Sequence, residues 1–387
     1  MREDLGMKEK PGIRQQHATR VAFFISGFGT ASWAPLVPLL KTRLGIAEDV
    51  LGMLLLCIGI GSLLTMPLSG AAAARLGCRK VLTASIVAYA GTLLALCMVA
   101  DFWIAVPALL AFGAIMGCID VVINIQAVLV EKAAGRRIMS GMHGLWSVGG
   151  FVGAGLFGVW VGMLGLTPLM STMIAALLIL VLLGCCVRYL LPYGGGTEGG
   201  ALLALPHGIV TFVGLIACIS FLVEGAIMDW SGVFLTTVRG FDLSLAGTGF
   251  TVFSAAMLIM RLVGDRVVQR LGQKPVVLGG SGLAFLGFLL VIFAQESGML
   301  FMGFFLIGLG IANIVPLFFS LLGRQKIMPV HIAVPAVSTM GYLGILMGPA
   351  AVGFLAHQTS LLMAFGFLAA LVVLQAGIAA YVYHRVL

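Results

Sequence analysis

Arg75-Leu76-Gly77-Cys78-Arg79 returns 195 residues later as Arg270-Leu271-Gly272-Gln273-Lys274. Around the first copy the chain reads Gly70-Ala71-Ala72-Ala73-Ala74-Arg75-Leu76-Gly77-Cys78-Arg79-Lys80, a short basic turn between two long apolar runs. Ser32-Trp33 is echoed 197 residues later by Asp229-Trp230. Two matches at nearly one period, each at the same place in its half, indicate a duplicated chain. The two copies are separated by residues 192–206, a linker that opens Pro192-Tyr193-Gly194-Gly195-Gly196-Thr197-Glu198-Gly199-Gly200.

The apolar runs on either side of these turns decide the environment. Hydrophobic residues make up 61% of the 387 and charged residues 9%, and mean hydropathy is +1.15. A soluble domain needs about a quarter of its residues charged to cover its surface, so this outer surface faces lipid. A span takes about 20 mostly apolar residues. Twelve such runs are predicted, at 20–41, 50–73, 80–100, 103–130, 138–164, 167–190, 208–236, 244–268, 276–295, 298–323, 330–356 and 360–384. The expected fold is an all-α membrane protein of twelve transmembrane helices in two pseudo-symmetric six-helix bundles. Its parts are a tail at 1–19, a first bundle at 20–191, the linker at 192–206 and a second bundle at 207–387. The abundance of glycine (53 residues) agrees, because small residues let membrane helices approach closely.

Charge distribution sets the orientation and removes other classes. The net charge of +8 does not mark a nucleic-acid partner, because the basic residues sit in short segments between spans. With both termini on one side, the opposite side holds only Lys41, Arg43 and Arg239, and Arg261 lies inside a span. Every other lysine and arginine is on the terminal side, which is expected to be cytoplasmic. Residues 1–20 are polar and basic, and the first apolar run is full-length without a small-residue cleavage site, so no cleavable signal peptide is expected. The seven cysteines match no metal-ligand spacing and read as apolar packing residues. No GxxxxGK[ST] loop is present, which excludes ATP-driven work by this chain alone. No nucleophile–base pair or ligand cluster suggests an enzyme, and no cofactor or metal is expected.

Ionisable groups inside spans are functional candidates, because charge is costly in hydrocarbon. Among the 14 acids, Asp120, Glu224 and Asp229 are interior. Gly113, Gly117, Asp120 and Asn124 are spaced to share one helix face. That stripe reads as a cavity lining with a titratable acid, or as a tight helix contact with Asp120 tied down by Asn124. Glu224 and Asp229 are five residues apart, which turns them about 140° from each other on a straight helix. Only distortion at Gly225 or Gly232 would bring both to one face. Trp33 and Trp230 hold matching places and suit sugar rings or apolar ligands, though tryptophan is also common at membrane interfaces. His143, as the side-chain type whose charge ordinarily changes near neutral pH, is a proton-path candidate or a packed, hydrogen-bonded histidine. Arg261 lies about 13 Å deep by helix rise and is expected to pair with Asp265, to snorkel or to hold a gate. Asn313 with Pro316, and Gly348-Pro349, mark expected kinks, and Ser338 and Tyr342 offer hydrogen bonds.

The duplication, span count and loop motif together resemble the major facilitator superfamily over the whole chain. That family's loop between spans two and three reads roughly G-x-x-x-D-R-x-G-R-R. Here its aspartate is Ala74, and Gln269 stands in the second copy, so the family's charge-relay gate is altered. Four motifs are similar to the MosC-like branch, which contains rhizopine-transporter-like and YbjJ-type inner-membrane proteins. They are Ala31-Ser32-Trp33-Ala34, Asp120-Val121-Val122-Ile123-Asn124, Met142-His143-Gly144 and Glu224-Gly225-Ala226-Ile227-Met228-Asp229-Trp230.

The resemblance implies a secondary transporter, in a bacterial inner membrane, for a small polar solute such as a sugar or polyol, by alternating access and with proton coupling. Substrate contacts are expected at Ser32, Trp33, Asp120, Asn124, Trp146, Glu224, Trp230, Asn313 and Tyr342. Proton coupling falls to Asp120, Glu224, Asp229 and His143, and gating to Arg75, Arg261 and Arg270, with the two loop arginines as paired latches. The partners are the solute, protons and the bilayer, with no nucleic acid, and the chain is expected to work as a monomer. The alternative is a proton-antiport exporter of drugs or metabolites, against which stand the altered loop and a fifth span without proline. A non-transporting sensor or scaffold would need no interior acids.

Overall fold

A computed structural model describes residues 11–46, 48–195, 205–241 and 248–386; most of the predicted linker and the extreme N-terminus lie outside them. Among the described residues the chain is helical throughout, with no strand. In chain order the helices are α1 (Ile13–Trp33), α2 (Leu36–Leu44), α3 (Glu48–Leu76), α4 (Cys78–Met98), α5 (Phe102–Ala134), α6 (Met139–Gly158) and α7 (Pro168–Cys186). After the linker come α8 (Ile209–Val233), α9 (Thr248–Leu271), α10 (Gln273–Phe293), α11 (Ser297–Ile311), α12 (Ile314–Leu322), α13 (Val330–Gln358) and α14 (Leu361–Val386). With α1–α2 and α11–α12 each counted as one interrupted span, six helical stretches precede the linker and six follow it. Ten of these are long and apolar enough to cross a membrane. The other two, α1–α2 and α9, carry charges that include Arg14 and Arg20 in the first and Arg261, Asp265, Arg266 and Arg270 in the second.

Local chemistry sets the ends. Asp101 accepts from the backbone N–H of Trp103 at 2.8 Å and of Ile104 at 3.1 Å, capping α5. Thr167 accepts from Met170 N–H at 3.2 Å, with Pro168 in the first turn of α7. The repeated Arg-Leu-Gly turn has one backbone geometry in both copies. Gly77 has φ 82° and ψ 152°, and Gly272 has φ 86° and ψ 163°. Side chains are strongly disfavoured at such angles, which accounts for the glycine in each copy.

Helix contacts repeat as well. Cβ atoms at Gly149 and Gly153 of α6 would collide with the carbonyls of Phe24 and Phe28 on α1. Cβ atoms at Gly344 and Gly348 of α13 would meet those of Cys218 and Leu222 on α8. The same glycine pair, 195 residues apart, thus brings α6 onto α1 and α13 onto α8 at backbone contact.

The helices form two compact units. The first holds the chain through Arg136, Met142–Leu205 and Pro329–Ala336; the second holds Arg137–Gly141, Pro206–Met328 and Val337–Leu387. Each unit therefore includes a helix start from the other half of the sequence. In the second, Gly141 N–H donates to Asp265 Oδ2 at 3.0 Å, Arg137 Nη1 donates to Ser320 Oγ at 2.7 Å, and Gln269 Nε2 donates to the Arg137 carbonyl at 3.2 Å. In the first, only glycine at position 70 leaves room for the His331 carbonyl. Also within the first unit, Arg79 donates from Nε to the Leu190 carbonyl at 2.8 Å and from Nη2 to that of Arg188 at 2.6 Å. The buried Gln126 accepts from Leu191 N–H at 3.1 Å. These bonds hold the chain where it leaves α7 for the linker.

Candidate functional site

A cluster of buried polar groups in the second unit starts from a proline. Pro316 has no N–H, so the carbonyl four residues before it, Ala312, has no helical donor. The helix breaks there: α11 ends at Ile311 and α12 begins at Ile314. Ala312 is fully buried, and a buried carbonyl needs a partner. Arg261 of α9 supplies one, donating from Nε at 3.2 Å. The other edge of the same guanidinium faces α8, with Nη2 3.8 Å from Glu224 Oε2. The Arg261 side chain is 7% exposed and the Glu224 side chain 25%. A buried arginine is costly without a counter-charge, and this pairing answers that cost. Glu224 is a counter-charge that the sequence reading did not name for Arg261, beside the expected Asp265, which itself receives the N–H of Gly141.

Asn313 completes the break. Its Nδ2 donates to the Met260 carbonyl at 3.4 Å, and its Oδ1 is buried without a donor. The amide lies against Gly264, where a Cβ would press on the Asn313 side chain. Helix α8 stays α-helical from Ile209 to Val233, so Glu224 and Asp229 keep the separate faces of a regular helix. Asp229 is exposed. Trp230 lies with its ring over Gly353. Ser338 is buried and Tyr342 half-buried, both on α13, and that helix runs unbroken through Gly348-Pro349.

In the first unit, the stripe predicted on α5 divides. Gly113 and Gly117 press against α3, where Ser62 Oγ donates to the Gly113 carbonyl at 2.7 Å; that end is a helix contact. Asp120 is half-buried, and Asn124, 1% exposed, donates from Nδ2 to the Asp120 carbonyl at 2.9 Å. The Asn124 Oδ1 is buried with no donor. Trp33 is buried against Phe112, with ring centroids 5.6 Å apart, and Ser32 donates to the Phe28 carbonyl at 2.7 Å. Trp146 is half-buried, and its carbonyl abuts Gly27. The His143 ring packs on Phe23 at 5.0 Å. The loop arginines Arg75 and Arg270 are both exposed.

Two features escaped the sequence reading. Tyr89, 1% exposed, shares a hydrogen bond with Thr30 Oγ1 at 2.9 Å and stacks on Phe112. A tyrosine in mid-span was the available signal, since its hydroxyl needs a partner when buried. The Ala312 carbonyl was marked only by Pro316, whose effect falls four residues upstream.

Two units of membrane helices, each with a few polar groups inside an apolar bundle, define a polytopic membrane protein. The chain belongs to the Major Facilitator Superfamily, whose model matches residues 21–326. An uncharacterized MFS-type transporter of Yersinia pestis is 48% identical over 369 residues, 94% of each chain. The membrane protein MosC of Rhizobium meliloti is 29% identical over 378 residues, covering 96% of this chain and 91% of that one. Among solved structures, the transporter FucP in its outward conformation aligns with a TM-score of 0.80 at 13% identity, over 95% of this chain and 98% of that one. The proton:xylose symporter XylE aligns with a TM-score of 0.70 at 14% identity, over 94% of each chain.

Proposed function

We propose that this transporter moves a small polar solute, of the sugar or polyol kind, across a bacterial inner membrane by alternating access, with Glu224 carrying the coupling proton. The observation that carries this reading is the Glu224–Arg261 pair, a partly exposed carboxylate against a buried guanidinium. Burial penalises the charged form of a carboxylate and a neighbouring cation favours it. A carboxylate open on one side and facing a buried cation on the other has two surroundings to exchange in an alternating-access cycle, which is what a coupling residue requires. Asp120, beside Asn124 on α5, is the corresponding acid of the first unit and is assigned to solute contact as well as to protons. Two solved relatives of the fold are named as a fucose:proton and a proton:xylose symporter, which agrees with the class without assigning the solute.

The test begins with a thermal-shift screen of the purified chain against sugars, polyols and other small polar solutes. The hit is then followed into proteoliposomes with and without an imposed pH gradient. Glu224→Gln mimics the protonated acid. It is expected to keep solute binding and counterflow but to lose pH-driven accumulation. Accumulation at the wild-type level in Glu224→Gln removes Glu224 from the coupling role and turns attention to Asp229 and His143.

A further inference from the structure

The acceptors that Arg261 meets come from two separate pieces of chain, the α11–α12 break and α8. Ala312 offers a carbonyl released by Pro316, Glu224 offers a carboxylate, and the adjoining Asn313 leaves its buried Oδ1 without a donor. Interrupted membrane helices expose carbonyls of this kind, and in secondary transporters such carbonyls coordinate coupling cations. Here the cationic group at the break is a side chain of the protein.

The geometry points to a cation seat at the α11–α12 break that is permanently filled by the guanidinium of Arg261. One edge of the group, Nε, satisfies the broken helix at 3.2 Å, and another, Nη2, faces Glu224 at 3.8 Å. A planar guanidinium suits this task because its donors point along its edges and it keeps its charge when buried. The seat leaves no place for sodium or potassium beside a fixed positive charge. Removing the side chain opens a site of carbonyl and carboxylate oxygens that selects a small monovalent cation, guanidinium first. Arg261 is then a positioning residue: it holds the helix break on one side and the carboxylate on the other. This deepens the proposed role of Glu224 and rests on it only where coupling is concerned.

The test uses the full-length chain in detergent and follows thermal unfolding in choline chloride, sodium chloride, and choline chloride with millimolar guanidinium chloride, far below denaturing concentrations. Wild type is expected to melt at the same temperature in all three. Arg261→Ala is expected to melt lower and to regain several degrees with guanidinium, and less with sodium. Adding Glu224→Gln to Arg261→Ala should abolish that recovery. Arg261→Gln serves in its place if the alanine variant is not recovered folded.

Pro316→Ala supplies the missing N–H to the Ala312 carbonyl. It should restore part of the stability lost in Arg261→Gln while adding little to wild type. The seat is overturned if guanidinium does not stabilise the arginine-less variant, if wild type gains equally from guanidinium or sodium, or if Pro316→Ala acts alike in both backgrounds. None of these readings involves transport. A failure of pH-driven accumulation therefore tells against proton coupling without touching the seat, and the reverse also holds.

Discussion

Gly264 and Arg239 show how single residues carry structural roles that composition does not reveal. At Gly264 a methyl group would press into the Asn313 amide, whose backbone forms the break that Arg261 supports. Gly264→Ala is therefore expected to destabilise the chain by roughly 1–3 kcal/mol, the usual cost of overpacking, and to lower its melting temperature in detergent. Arg239 donates from Nη2 to the carbonyls of Val291 and Ile292 at 2.8 and 2.7 Å, at the end of α10. Arg43 donates from Nη1 to the Val99 carbonyl at 2.9 Å, just past α4, in the matching place of the first half. Unpaired carbonyls at helix C-termini favour such cations. Arg239→Ala should cost roughly 1.5 kcal/mol, the lower end for hydrogen bonds to a charged group because the side chain is half-exposed; the measurement is again thermal unfolding. For Asp120→Asn the expected outcome is weaker solute binding in titration calorimetry, since Asp120 and Asn124 form the polar end of the stripe on α5. Unchanged affinity would take Asp120 out of the solute site.

At the scale of elements, the duplication is written in glycines as much as in the Arg-Leu-Gly turn. Gly149 and Gly153 seat α6 on α1, and Gly344 and Gly348 seat α13 on α8. The obstacle in each case is a backbone carbonyl, which has no rotamer to change. Gly344→Ala is expected to force α8 and α13 apart and to reduce both folded yield and melting temperature sharply. Gly184 of α7 has nothing within 4 Å of an added Cβ. Gly184→Ala should leave folding intact and gain about 0.5–1 kcal/mol, from the poor helix propensity of glycine. Equal behaviour of the two variants in a melting comparison would count against the close-contact account.

On the scale of the whole molecule, the distribution of charge predicts which way the chain lies in the bilayer. Lysine and arginine are sparse on one side, where Lys41, Arg43 and Arg239 stand. Two of these three cap helix ends and so have a structural reason to be there. They therefore weigh less as orientation signals, which strengthens the asymmetry of the remaining charges. Reporter fusions after residue 387 and within 42–49 are expected to lie in opposite compartments, with the C-terminal fusion cytoplasmic. A C-terminal reporter active in the periplasm would reverse the orientation.

The sequence alone carried the membrane environment, the all-helical fold and the family. Each follows from a local demand. Lipid requires runs of apolar residues of a set length, and a left-handed turn requires glycine at positions 77 and 272. It also singled out Glu224, Arg261, Asn313 and Pro316 one by one, because charge and proline are conspicuous in an apolar helix. What it did not contain was their association. That Arg261 meets Glu224 on another helix depends on how far α8 and α9 are rotated and shifted against each other. The same dependence split the α5 stripe, turning Gly113 and Gly117 to α3 and leaving Asp120 and Asn124 as its polar end. Spacing along one helix specifies which residues share a face, and only the packing of neighbouring helices specifies what that face meets.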